Sequence, residues 1–215
     1  DDIARVAAAR EALPNARLKV DANMGYTFAG ALDALRKLCE YGIIYAEQPV
    51  ASIEDMAALR FAIAKEGLPA RIAADESIRK AEDPLKVARA NAADLMVIKA
   101  APLGGVRRAL ALVEQAQLPA VVSSALESSV GIATGASLSA SLPTLRYGCG
   151  LGTVSLMAED VTDEPLIARD GFMDLRAITP SPQRLERLAT DEQTRQWWVE
   201  RVTACYRVLE RASGL

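Results

Sequence analysis

Short apolar runs alternate with longer amphipathic stretches from about residue 18 to residue 152. The runs are LKVDAN (18–23), IIYAEQP (43–49), RIAADES (71–77), LMVIKA (95–100), AVVSSAL (120–126) and LRYGCG (145–150). Between them, apolar residues recur at three- and four-residue spacing over 29–40, 53–65, 84–92, 106–116 and 131–141, which predicts a helix in each gap. Ala31, Leu32, Leu35 and Leu38 show the stripe most clearly. Strands that are apolar on both faces and separated by helices belong to a parallel sheet with crossover connections. The residues at the strand ends, Asp21, Glu47, Asp75, Lys99 and Ser123, follow one another at 24 to 28 positions. So even a repeat favours a closed (β/α) barrel over a doubly wound sheet, and no GxGxxG follows any strand.

An eight-stranded barrel is two strands longer than the six runs counted. The pattern therefore predicts barrel strands three to eight over 1–152, with the first strands missing from this chain and lying upstream of Asp1. A helix over 2–13 leads into the first visible strand. Beyond 152 the repeat stops. A turn and extended chain are expected over 170–182 and a helix over 183–211, so that 153–215 forms a C-terminal extension. Trp197, Trp198, Val202, Tyr206 and Leu209 would pack that helix on the barrel.

Composition removes several kinds of chemistry. The chain has 215 residues, is 51% hydrophobic and 25% charged, and carries a formal charge of −3. Basic residues are scattered, which argues against a nucleic-acid partner. No apolar run spans a bilayer, so no membrane partner is expected. Three cysteines lie far apart with no CxxC pair, the usage of a reduced, cytoplasmic protein without a zinc site. The chain has no histidine, so acid–base work falls to carboxylates, lysines, tyrosines or thiols. The oligomeric state is not legible.

Three successive strands end in Asp21, Glu47 and Asp75, and the next ends in Lys99. Barrel enzymes place their sites at these C-terminal strand ends. Taken singly, each acid also reads as a strand-end cap or a helix N-terminal charge. Three on neighbouring strands converge, and a cation between them relieves their repulsion. All-oxygen ligation favours Mg²⁺, with Mn²⁺ as a substitute. Lys99 reads as a salt-bridge partner of the acids, an acid–base group, or a cation opposed to developing negative charge.

The series VDAN, AEQP, ADES and IKAAPLGG resembles the metal-ligand strands and following lysine of the enolase superfamily, in its muconate-lactonizing-enzyme-like branch. The resemblance implies Mg²⁺ on Asp21, Glu47 and Asp75, Asn23 beside the metal, and Lys99 as the sixth-strand lysine. It implies removal of a proton α to the carboxylate of a small-molecule substrate through an enediolate. Ser123, Ser124, Glu127, Ser128, Ser129 and Gly131 carry the SSxxESSxG run that resembles the o-succinylbenzoate synthase family. That implies a lyase dehydrating 2-succinyl-6-hydroxy-2,4-cyclohexadiene-1-carboxylate in menaquinone synthesis, in which a second-strand lysine moves the proton and Lys99 counters the charge. Ser123, Ser124 and Gly150 would then line the substrate. Ser128 and Ser129 read either as part of a carboxylate cradle or as caps of the next helix. Lys19 shares its strand with Asp21, and nothing before Asp21 supplies the family's Lys-x-Lys pair or its capping domain. The rival expectations are an N-acylamino-acid racemase or dipeptide epimerase, or a non-catalytic barrel scaffold.

Overall fold

The structure is a computed structural model that describes residues 2–213. Helix α1 (Asp2–Ala12) leads into a repeating strand–helix series. Its strands are β1 (Val20–Asp21), β2 (Ala46–Glu47), β3 (Ile72–Ala74), β4 (Leu95–Ile98) and β5 (Ala120–Val122). The intervening helices are α2 (Phe28–Cys39), α3 (Ile53–Glu66), the single turns α4 (Glu76–Arg79) and α5 (Lys86–Arg89), and α6 (Val106–Ala116). Helix α7 (Ser129–Ser141) follows β5, and α8 (Pro182–Arg187) and α9 (Glu192–Ser213) end the chain. The sheet runs β1-β2-β3-β4-β5, every pair parallel, in chain order. This is the α/β architecture of a barrel wall.

Local chemistry accounts for the helix ends. The Thr27 hydroxyl accepts the Gly30 N–H at 3.2 Å to start α2, and Ser52 accepts the Asp55 N–H at 2.9 Å to start α3. Gly67, at φ +66°, closes α3 in the left-handed conformation that costs glycine least. Ala31, Leu35 and Leu38 on α2, and Met56, Leu59 and Ile63 on α3, are the buried stripes facing the sheet.

The strand period of two sorts the core into two layers. Ile72, Ala74, Met96, Ile98, Ala120 and Val122 pack outward under the helices. Tyr45, Ala73, Leu95, Val97, Val121 and Tyr147 form a separate inner cluster. Within it the Tyr45 and Tyr147 rings meet edge-on at 5.6 Å, and Arg71 donates to the Tyr147 hydroxyl at 2.7 Å. Burial on both faces explains why these strands read as continuous apolar runs.

Four expectations change. The sixth apolar run contributes one parallel bridge, Ser123 to Gly150, in place of a strand, because Gly148 and Gly150 weaken it as extended chain. Helix 84–92 shrinks to α5, and the residues after Ala74 coil into α4 as Asp75 O accepts the Ile78 and Arg79 N–H groups at 2.9 Å. The long C-terminal helix is two helices. Asp191 starts the second, accepting the Thr194 N–H at 2.8 Å and its hydroxyl at 3.0 Å. The extension does pack on the barrel through Asp160, Thr162 and Leu166, which are buried, but α9 does not. Its residues are exposed from Glu192 to Leu209, Trp197 and Trp198 stacking edge-on against each other instead.

This partition predicts unequal mutational costs. Leu59→Ala, in the fully buried layer, should lower unfolding free energy by about 2–5 kcal/mol in urea denaturation. Trp198→Ala should cost less than about 1 kcal/mol. A Trp198 loss as large as the Leu59 loss would place α9 in the core.

Candidate functional site

On each of the five strands a residue facing inward is followed, two positions on, by a polar one at the strand end. Lys19 precedes Asp21, Tyr45 precedes Glu47, Ala73 precedes Asp75, Val97 precedes Lys99 and Val121 precedes Ser123. The period of two therefore lifts the inner face out of the apolar layer into a ring of charge. A cavity of about 270 Å³ lies there, lined by Lys19, Asp21, Glu47, Ser123 and Gly150 together with Tyr45 and three valines.

Asp75 is almost fully buried and doubly paired. Its Oδ2 accepts from Lys99 Nζ at 2.6 Å, and Arg79 Nε lies 3.2 Å from both oxygens. Glu47 is half-buried, and its carboxyl is pushed up to about 7, first by burial, then by Asp21 and Asp75, against the lowering effect of Lys99 and Lys19. Asp21 stands at the open sheet edge, yet loss of hydration there and the charges of Glu76 and Asp75 raise its carboxyl, while the Asn23 N–H, donating to Oδ1 at 2.9 Å, pulls it back. Asn23 thus meets the site through its backbone, in a left-handed turn with φ +46°. Among the described residues no three acidic or thiol side chains are gathered closely enough to hold an ion as they stand. The expected convergence to a few ångströms is therefore not reached. Asp75 is turned towards Lys99 and Arg79, and like charges keep the other two acids apart.

The donor set nevertheless fits a hard divalent cation. It is oxygen-only, net negative and mutually repelling, and Glu76 beside it holds a buried carboxylate oxygen with no hydrogen-bond partner.

The serine run divides. Ser123 lines the cavity and sits 3.4 Å from Gly150 O. Ser124 is buried and committed to the protein, donating to Gly150 O at 2.7 Å and meeting Thr153 Oγ1 at 2.9 Å. Glycine at 150 leaves room for Ser123, since a Cβ there would come within 2.7 Å of Ser123 Oγ and oblige that side chain to move. Neither Ser128 nor Ser129 caps α7 with its own hydroxyl. Ser128 holds the cap position without a side-chain bond. Buried Asp160 reaches in from the extension to accept the Ser129 N–H at 3.1 Å and its hydroxyl. A carboxylate is favoured at a helix N-terminus, so this end of α7 already has its anion. Lys19 was not among the expected site residues. Its spacing of two from Asp21 on one strand was the signal, and it donates to Gly148 O at 2.8 Å across the mouth.

Residues 1–180 match the family described as enolase C-terminal domain-like. The chain belongs to that family. The match stops just before α8 and α9. Muconate lactonizing enzyme from Pseudomonas fluorescens, solved with muconolactone, superposes with a TM-score of 0.76 at 31% identity, over 86% of this chain and 52% of that one. The Pseudomonas putida enzyme gives 0.77 at 28%, over 88% and 55%. The o-succinylbenzoate synthase of Mycolicibacterium smegmatis is 51% identical over 210 residues, 97% of this chain and 63% of the relative. That of Mycobacterium tuberculosis is 49% identical over all 215 residues, 64% of its own length. The chain thus spans somewhat under two thirds of these relatives. Among the described residues no helix is long and apolar enough to cross a membrane.

The Glu47 carboxyl makes a pH dependence. With a folded-state value near 7 against 4.5 unfolded, the native protein binds more protons over that interval, so stability falls as pH rises from about 4.5 through about 7. Thermal midpoints of metal-free protein should show this decline, and Glu47→Gln should flatten it. An unchanged decline in that variant would assign it to other groups.

Proposed function

We propose that the chain carries the carboxylate-and-lysine site of an o-succinylbenzoate synthase, a lyase that dehydrates 2-succinyl-6-hydroxy-2,4-cyclohexadiene-1-carboxylate to 2-succinylbenzoate. The observation that carries this reading is the ring of Asp21, Glu47, Asp75 and Lys99 on successive strands, in a chain about half identical to curated o-succinylbenzoate synthases along its whole length. Asp21, Glu47 and Asp75 would hold Mg²⁺, or Mn²⁺ in its place. Such an ion supplies positive charge beside the substrate carboxylate and so lowers the cost of removing the neighbouring proton.

The chain's own groups supply the fixed charge and the cavity walls, while the α proton would pass to the second-strand lysine that the resemblance implies and from there to the departing hydroxyl. Lys99 is anchored on Asp75, with little of its side chain exposed, so its ammonium is a fixed charge opposed to the negative charge that builds as the α proton leaves. The hydroxyl at the neighbouring ring carbon departs with a proton as water, leaving the aromatic ring. Ser123 and Gly150 flank the cavity wall from the β5 side. Gly150 lets the last segment approach β5 closely enough to shape that wall. Asn23 orients Asp21 from behind. In this reading the partner is a small carboxylate, and the protein works in the cytoplasm in menaquinone synthesis.

The test is a Mg²⁺-dependent dehydration assay on the intact protein, followed by ultraviolet absorbance as the diene becomes aromatic. EDTA and Asp75→Asn should abolish turnover, and Lys99→Ala should lower kcat by about a hundredfold or more. Full activity in EDTA, or no dehydration by folded wild-type protein with turnover of N-acylamino acids instead, would overturn the reading.

A further inference from the structure

Gln48 lies beside Glu47 and at an even position, so its side chain points away from the cavity and into the protein. It is fully buried, at 0% exposure, and its φ of +35° is left-handed, a conformation that a non-glycine residue holds only when its surroundings impose it. Its bonds explain the imposition. Oε1 accepts the Asp75 and Ser77 N–H groups, both at 3.1 Å. Nε2 donates to Val50 O at 3.0 Å and to Ser77 Oγ at 2.8 Å, and lies 3.0 Å from Met56 Sδ. Its backbone N–H donates to Ala73 O at 2.8 Å, and its carbonyl accepts the Met24 N–H at 2.7 Å.

One residue thus touches the chain next to each of the three carboxylates. Glu47 is its neighbour, the Asp75 N–H is its direct partner, and Met24 lies in the turn that follows Asp21. We propose that Gln48 is a positioning residue that sets the mutual spacing of Asp21, Glu47 and Asp75, and through it the affinity of the site for a divalent cation. This rests on the reading that the three acids bind such a cation. A primary amide suits the place because it accepts twice on one atom and donates twice on the other. A carboxylate would lose the donors, and an apolar side chain would strand the Asp75 and Ser77 N–H groups in a buried layer.

Mn²⁺ titration of the intact protein, read by electron paramagnetic resonance without substrate, tests this apart from turnover. Wild type should bind Mn²⁺ and Glu47→Gln should not. Gln48→Met should weaken binding about 10- to 100-fold, the usual cost of a lost outer partner of a ligand. Ser77→Ala, a milder change that removes one Gln48 bond, should weaken it about threefold. Leu138→Ala, a fully buried core change in α7, should lower the melting temperature and leave Mn²⁺ affinity unchanged. The proposal is overturned if folded Gln48→Met binds as wild type does, or if Leu138→Ala weakens binding as much at equal loss of melting temperature. Should Gln48→Met not fold, wild-type affinity in Ser77→Ala overturns it instead. Absence of Mn²⁺ binding by wild type is a different result, which removes the cation reading itself and the role of Gln48 with it.

Discussion

Three carboxylates brought within one another's field at the ends of apolar strands set the terms for the rest of this structure. Burial and mutual repulsion both act against ionisation, and the raised Glu47 and Asp21 carboxyls record that cost. The fold meets it locally with cations. Lys99 and Arg79 both pair with Asp75, and the Lys19 charge reaches Glu47. With Glu76 counted, four carboxylates meet these three cations, so the ring stays net negative and an added divalent ion would relieve it.

Holding such groups close requires a stiff frame behind them. The inner layer of Tyr45, Ala73, Leu95, Val97, Val121 and Tyr147 supplies the floor, and the hydrogen-bonded strand ends supply the walls. Gln48 ties three strand ends together on the side away from the cavity. Asp160 does a related task at the far wall, where it fixes the start of α7 from the C-terminal extension. That pairing also gives the extension a structural purpose up to about residue 180, the limit of the family match. Beyond it α9 presents an exposed apolar face and contributes nothing to the site.

Similarity along the chain and similarity in space point to different neighbours in one family. The sequence relatives named above are o-succinylbenzoate synthases, and the two superposed structures named above are muconate lactonizing enzymes.

The sequence by itself determined the layer pattern and the identity of the ring. Apolar strands of period two separated by helical stripes dictate a parallel sheet, and the same period assigns Asp21, Glu47, Asp75, Lys99 and Ser123 to one face. Those are local rules, and a single chain obeys them wherever it folds. Tertiary structure alone decided how the ring is paired: that Lys99 lies on Asp75, that Ser124 is bound into the wall while Ser123 faces the cavity, that Asp160 caps α7 from 31 residues away, and that α9 stays free. Each of these depends on contacts between segments distant in sequence, where buried polar groups take whichever partner the packing brings within reach, and no spacing along the chain encodes that choice.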